Sequence, residues 1–251
     1  MTTARQIAES RVIDAAVNRL AAKNAPAIRR VISKAMMDAA DAFEMSGDSS
    51  HITIAIQRMT GPLSKAVEAA WYNSGRTIGK ITSGKLKAHA KREYKEAAVD
   101  FGTAAVDFMK RKAGGRIVSI HGTTLDDVMR IVNQGFAEGA SVGKIASGIR
   151  KIAPQLSRSR AEIIARTETH AGANAGSFAA ADDIGVPMQK VWVAVEDDRT
   201  REEHRQADGQ TVDMEKDFTV ASEGLQFPGD PDGSAGNVIA CRCACIYEAK
   251  D

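Results

Sequence analysis

The sequence predicts an α+β protein: a predominantly helical N-terminal region followed by a smaller α+β domain with a short antiparallel sheet. Three observations carry this. Apolar residues recur at three- and four-residue steps through long stretches of the first 180 positions. Strand-like alternation enters with "QKVWVAVEDD" (189–198) and returns in "VIACRCACIYE" (238–248). The charge divides as well. The chain's net charge is +2, yet residues 1–120 hold 20 Lys/Arg against 11 Asp/Glu, leaving 14 basic and 21 acidic residues for the rest. The glycine pair Gly114-Gly115 marks the change, which places a basic helical region at 1–114 and the α+β domain at 115–251.

Residues 4–45 read as helix. Ile7, Val12, Ala15, Ala16 and Leu20 form one apolar row; Ile28, Ile32, Ala35, Met36, Ala39 and Phe43 form the next. Pro26 lies between the rows and is expected to open a new first turn. The polar "SGDSS" (46–50) reads as a loop. A second helical segment runs from His51 to Tyr72, broken or kinked at Gly61-Pro62. Residues 73–115 combine glycines with a long basic helix.

"RIVSIHG" (116–122) is rich in β-branched residues and is expected to form a short strand. "TTLDDVMRIVNQGFAEG" (123–139) is the next helix, with Thr124 and Asp127 in a capping arrangement and Gly139 as its stop. "SVGKIASGIRKIA" (141–153) is expected to form a helix capped by Ser141 and ended by Pro154. A third and longest helix spans 157–185 and closes at Gly185. After the first strand, "RTREEHRQADG" (199–209) reads as a short helix with Asp198 or Thr200 as its cap and Gly209 beyond its last turn. Residues 218–237 are loop-rich, and the closing strand follows.

Composition narrows the class. At 251 residues and 43% hydrophobic content, the chain can bury one large or two small cores. No apolar run reaches the roughly 18 residues a membrane helix needs. The amphipathic first twenty residues do not resemble a secretory signal, so a reducing cytoplasm and free thiols are expected. The P-loop, HExxH and GxSxG patterns are absent, as are internal repeats and sustained heptads.

All three cysteines, Cys241, Cys243 and Cys245, fall within five residues. In a strand they point to one face and Arg242 to the other. If that face meets the short helix, Cys241, Cys243, His204 and Asp208 are candidate ligands for a tetrahedral zinc. A plainer reading stands beside it: the cysteines are compact core residues and His204 is satisfied by hydrogen bonds. An enzyme could be drawn from the same region, either as a Cys241–His204 nucleophile pair or as a metal-dependent enzyme or toxin domain using Asp198, His204 and Asp208. Carboxylates at Glu196-Asp197-Asp198 are equally suited to a helix N-terminus.

Three motifs in order, "RAEIIARTETHAGANAGSF", "KVWVAVEDDRTREEHRQADGQTVDMEKDF" and "LQFPGDPDGSAGNVIACRC", resemble the phage Mu F-like head morphogenesis family, the minor capsid proteins of tailed phages. The resemblance covers roughly residues 115–248. It departs at Ala240, where the family pattern usually has Asn before the CRC. The resemblance implies a non-enzymatic virion component present in a few copies. Such a protein would bind the portal protein and meet major capsid or scaffolding protein during assembly, in the host cytoplasm first and then in the head interior near the portal. It could also contact packaged double-stranded DNA or aid its delivery. Carried over by motif, the residues of interest are Arg166, Glu168, Asn174, Asp198, Arg199, Thr200, Arg201, His204, Asp208, Gly209, Cys241, Arg242 and Cys243. In that setting the basic run Arg76, Lys80, Lys85, Lys87, Lys91, Arg92 and Lys95 is the best candidate to face DNA; an acidic portal surface is the other candidate partner for these helices.

Overall fold

The computed structural model describes residues 2–89, 99–112 and 114–250. In chain order the elements are α1 (Ala4–Ser46), α2 (Ser50–Gln57), α3 (Thr60–His89), α4 (Phe101–Lys112), α5 (Gly114–Ala137), α6 (Val142–Asp182), β1 (Met188–Val193), α7 (Glu202–Gln206), β2 (Thr211–Asp213), β3 (Phe218–Val220), β4 (Glu223–Leu225), α8 (Ala235–Val238) and β5 (Ala244–Ala249). The protein is α+β, with a long helical region ahead of a small antiparallel sheet.

Four local expectations are corrected. The strand expected at 116–122 is part of α5. Thr124, Val128 and Val132 repeat every four residues and are fully buried, so one helical stripe overrides the β-branched composition. Thr124 therefore caps nothing; its hydroxyl donates to Ile120 O within the helix at 2.8 Å. The two helices expected on either side of Pro154 are one helix, α6, and Pro26 likewise lies inside α1. A helical proline costs about 3 kcal/mol. Buried rows flank both prolines, Ala21 with Ile28 and Ile32, and Ile149 with Ala153 and Ala161, and their burial offsets that cost. The expected stops hold: Gly139, Gly185 and Gly209 adopt φ of +66°, +74° and +75°.

The chain forms two compact units, and neither is a continuous half of the sequence. One comprises Met1–Lys23, Glu68–Ala113 and Arg166–Asp251; the other comprises Asn24–Val67 and Gly114–Ala165. The glycine pair at 114–115 lies at one crossing between units, and α1, α3 and α6 each contribute a segment to both.

In the second unit, Ile28, Ile32, Met36 and Phe43 of α1 are fully buried, as are Ile52 and Ile56 of α2. Phe43 meets Phe136 edge to face at 5.9 Å. Arg160 pairs with Asp127 at 2.7 Å, and Arg150 bridges Asp41 and Glu44.

In the first unit, the three-stranded sheet runs β2-β1-β5, antiparallel throughout, with Val191 opposite Ile246, Trp192 opposite Cys245 and Val193 opposite Ala244. Alternation gives the sheet two unlike faces. Val191, Val193, Ala244 and Ile246 pack on Ile13, Ala16 and Val17 of α1, Ile78 of α3 and Ala173 of α6. The opposite face carries Lys190, Trp192, Cys245 and Tyr247, all buried. The helices behind the sheet touch through glycine. A Cβ on Gly176 of α6 would overlap the backbone of Gly75 on α3, and one on Gly172 would lie 2.7 Å from Trp71 Cα. Beside this contact, Trp71 Nε1 donates to Glu168 at 2.8 Å, and the Thr82 and Ser177 hydroxyls lie 2.6 Å apart.

Gly176→Ala forces α3 and α6 apart. It is expected to cost about 2–3 kcal/mol, the upper range for overpacking. The check is urea unfolding: a lower midpoint with an unchanged slope.

Candidate functional site

The site is built where β1 ends and β5 begins. After Val193 the chain leaves the sheet, forms α7 and returns to pair with β1 again: Gly209 N donates to Trp192 O, and Trp192 N donates to Gln210 O, both at 2.9 Å. Asp208 closes the base of this loop, its Oδ1 accepting Ala194 N at 2.8 Å. His204 on α7 is thereby buried, its ring edge-on to Trp192 at 5.6 Å.

The facing segment follows α8. Cys241 N donates to Val238 O at 3.2 Å, and Ala240 N donates to Thr167 Oγ1 on α6 at 3.0 Å. This turn brings two sulfurs to His204. Its Nδ1 lies 3.3 Å from Cys243 Sγ and 3.7 Å from Cys241 Sγ. All three residues are buried, and their ligand atoms lie within 4.8 Å of one another. His170 Nε2 donates to Cys243 O at 2.7 Å, while Asn174 accepts Cys245 N and donates to His170 O. The other nitrogens, His170 Nδ1 and His204 Nε2, are buried without a hydrogen-bond partner among the described residues.

A polar clamp holds the two segments from outside. Arg242 makes a two-pronged ion pair with Asp197. Asp197 also accepts Arg199 N at 3.0 Å and the Thr200 hydroxyl at 3.2 Å, while its own carbonyl accepts Arg205 at 2.6 Å. Arg201 reaches across to Ile239 O at 2.5 Å.

The electrostatics follow from this packing. The Arg242 guanidinium holds the Asp197 carboxyl well below the usual carboxylate range. Cys241 is lowered, chiefly by a hydrogen bond from Cys243 and then by the nearby imidazoles of His170 and His204. Cys243, as the donor beside Cys241, is raised. Burial pushes Cys245 up to about 12 and lowers Lys190, whose ammonium donates to Gln226 O and lies over the rings of Phe178 and Phe218.

Comparison with known proteins finds similarities across this region. The family described as phage Mu protein F-like matches residues 126–246. The match takes in 121 of the 251 residues, so just under half of the chain is similar to that family. The minor head protein GP7 of Bacillus phage SPP1 is 35% identical over 126 residues, 49% of this chain and 40% of that protein. An NAD(+)–arginine ADP-ribosyltransferase named EFV, from Enterococcus faecalis, is 28% identical over 139 residues, 54% of this chain and 28% of that protein. The chain thus spans well under half the length of either relative. No solved structure matches it.

Of the family positions, Cys241, Cys243 and His204 come together, and Arg242 clamps them. Asp208, the fourth expected ligand, does not join: its carboxylate takes Ala194 N and the Thr2 hydroxyl. Cys245 shares the sheet face with Trp192 but lies beside Lys190 and Tyr247. Asp198 is exposed and caps nothing, and Thr200 turns its hydroxyl back to Val195 O; Arg201 occupies the N-cap of α7 without a side-chain cap. Asp198, His204 and Asp208 are not brought together: Asp198 is exposed, His204 is buried against the sulfurs of Cys241 and Cys243, and Asp208 holds Ala194 N. Glu168 is buried under Trp71, and Arg166 is half-buried 4.0 Å from Asp14, its pKa lowered by burial. Arg199 is exposed. Arg76 and Lys80 are exposed on α3, Lys85 and Lys87 partly so; Lys91, Arg92 and Lys95 lie outside the described residues.

Sequence reasoning missed Asp197, His170, Thr167 and Lys190. Asp197 differs from Asp198 by one step along the chain, and only the exit angle from β1 separates them. The signal for His170 was its four-residue spacing from Arg166 and Asn174, which puts all three on one side of α6.

Two predictions follow from the clamp. Asp197→Asn should destabilise the protein while Asp198→Asn should not, as read by urea midpoints. Because the folded Asp197 pKa lies below its unfolded value near 3.9, its contribution is present above about pH 4 and is lost as pH falls through the folded value. The wild-type protein should therefore lose more stability on acidification than Asp197→Asn. Separately, Ala240 sits at φ +54°, a left-handed conformation that glycine and asparagine tolerate better. Ala240→Gly or Ala240→Asn should raise stability by about 1 kcal/mol, seen as a rise of about 2–4 °C in the thermal midpoint.

Proposed function

We propose that this protein is a non-enzymatic minor head component of a tailed phage, acting in the head interior at the portal vertex. The observation that carries this reading is the family match over residues 126–246 together with 35% identity to the minor head protein of phage SPP1. The geometry is consistent with a scaffold role. Three acidic side chains of the matched region are tied into the fold: Glu168 to Trp71, Asp197 to Arg242, Asp208 to Ala194. The similarity to an ADP-ribosyltransferase covers 28% of that enzyme, so most of the transferase lies outside the match. No described helix is long and apolar enough to cross a membrane.

The partners proposed are the portal protein, then major capsid or scaffolding protein, with packaged double-stranded DNA meeting the basic face of α3 and assisting packaging or delivery. Arg76, Lys80 and Lys87 are spaced by four and seven residues and so share one side of that helix. The intact chain is the material to test, because Ile13, Val17 and Ile78 pack on strands from beyond residue 187 and a 1–114 fragment lacks them.

Co-expression with portal protein is expected to give a co-purifying complex. The chain should also retard random-sequence DNA at low salt, with binding lost steeply as salt rises. Arg76→Glu with Lys80→Glu should flatten the log–log salt slope by about 2 while leaving portal association intact. A chain that neither co-purifies with portal nor shifts DNA, and whose absence leaves phage heads and infectivity unchanged, would refute the proposal.

A further inference from the structure

The buried contact between α7 and the segment leading into β5 is made by two sulfurs and one imidazole nitrogen. Elementary coordination geometry can be set against their spacing. In a tetrahedral zinc site, metal–sulfur bonds of about 2.3 Å and a metal–nitrogen bond of about 2.0–2.1 Å place sulfur and nitrogen about 3.5 Å apart. The two observed sulfur–nitrogen separations are 3.3 and 3.7 Å, bracketing that edge length. We propose that Cys241 Sγ, Cys243 Sγ and His204 Nδ1 hold a zinc ion that locks the 194–209 loop to the 239–243 turn.

Several features make the site chemically suitable. The ligands come from two segments about forty residues apart, so a shared ion acts as a cross-link with a real loop-closure effect. Binding replaces two thiol protons by one dication, with both protons released to solvent and the imidazole neutral. Two thiolates and Zn²⁺ sum to zero charge, which lets the site stay buried without an unpaired ion. Thiols alone are poor hydrogen-bond formers, so without a metal the imidazole Nδ1 faces only weak partners. Soft sulfur with imidazole selects zinc over hard cations, which take oxygen.

The surroundings hold the ligands in place. His170 donates to the Cys243 carbonyl, Thr167 holds Ala240 N, and the Arg242–Asp197 pair spans the two segments on the solvent side. The set has three protein ligands, which leaves one position of a tetrahedron for a non-protein ligand. Two neighbouring groups are excluded by position. Asp208 is engaged at the base of the loop, and His170 Nδ1 points at Gly229, where an added Cβ would lie 2.7 Å away.

The test uses the full chain, purified under reducing conditions without chelator. Metal analysis should find about one zinc per chain. Cobalt substitution should produce intense thiolate-to-metal charge-transfer absorption with the ligand-field bands of a tetrahedral site. Cys241→Ser and Cys243→Ser should each abolish both signals, and His204→Ala should weaken them. Cys245→Ser should leave them intact. Because the cysteine variants could unfold, the wild-type protein supplies an independent readout: a chelator should lower its thermal midpoint, and added zinc should restore it. Fully reduced wild-type protein that binds neither zinc nor cobalt overturns the proposal. So does metal binding that survives both serine substitutions, or an air-stable Cys241–Cys243 disulfide that persists in reductant and accounts for the buried contact.

Discussion

The pairing of β1 with β5 is the constraint on which the first unit depends. Its register sets Val191, Val193, Ala244 and Ile246 against α1, α3 and α6, and leaves Trp192 and Cys245 on the other face. A slip of one residue would exchange the faces. Lys190 and Trp192 would then enter the helix-facing core, and the aliphatic residues would face α7 and β3. The same register determines where the preceding turn falls. Cys243 sits one residue before β5, directly beyond Val193 and the departing chain that carries Asp197 and His204. The site is thus a consequence of sheet pairing rather than of any loop acting alone.

Around that pairing, the buried polar groups specify position. Trp71 with Glu168, Asn174 with the Cys245 amide, and Lys190 between Phe178 and Phe218 are each paired across elements. Misplacing any of them would leave a polar group in the interior unpaired, which is more costly than the net gain from making the bond. The glycines of α3 and α6 act in the same sense: they allow a close approach that no other residue at Gly75 or Gly176 permits.

Much of this was legible in the sequence. The apolar rows of α1, the left-handed glycines after α5, α6 and α7, and both long strands could be read from spacing; His204, Cys241 and Cys243 could be named as candidates, but not shown to meet. The residues that misled did so for identifiable reasons. The β-branched run at 116–122 resembled a strand because composition was weighed before the four-residue stripe through Thr124 and Val128. Pro154 resembled a terminus because the loss of one hydrogen bond is visible in sequence, whereas the burial that outweighs it is not. Asp198 was preferred to Asp197, and Asp208 was counted as a ligand, because neighbours along a chain cannot be told apart until the backbone's exit from β1 is known.

By itself the sequence determined the secondary structure type of most segments, the alternation along each long strand and the likeness to the phage Mu F-like family, because periodicity and motif spacing are local properties. Tertiary structure decided the rest. It built two units from interleaved segments, gave Arg242 to Asp197, turned Asp208 toward Ala194, and brought one imidazole nitrogen to two sulfurs while leaving Cys245 apart. These choices depend on which distant segments meet and at what angle, and residues 197 and 242, or 2 and 208, acquire a shared environment only once the sheet has closed between them.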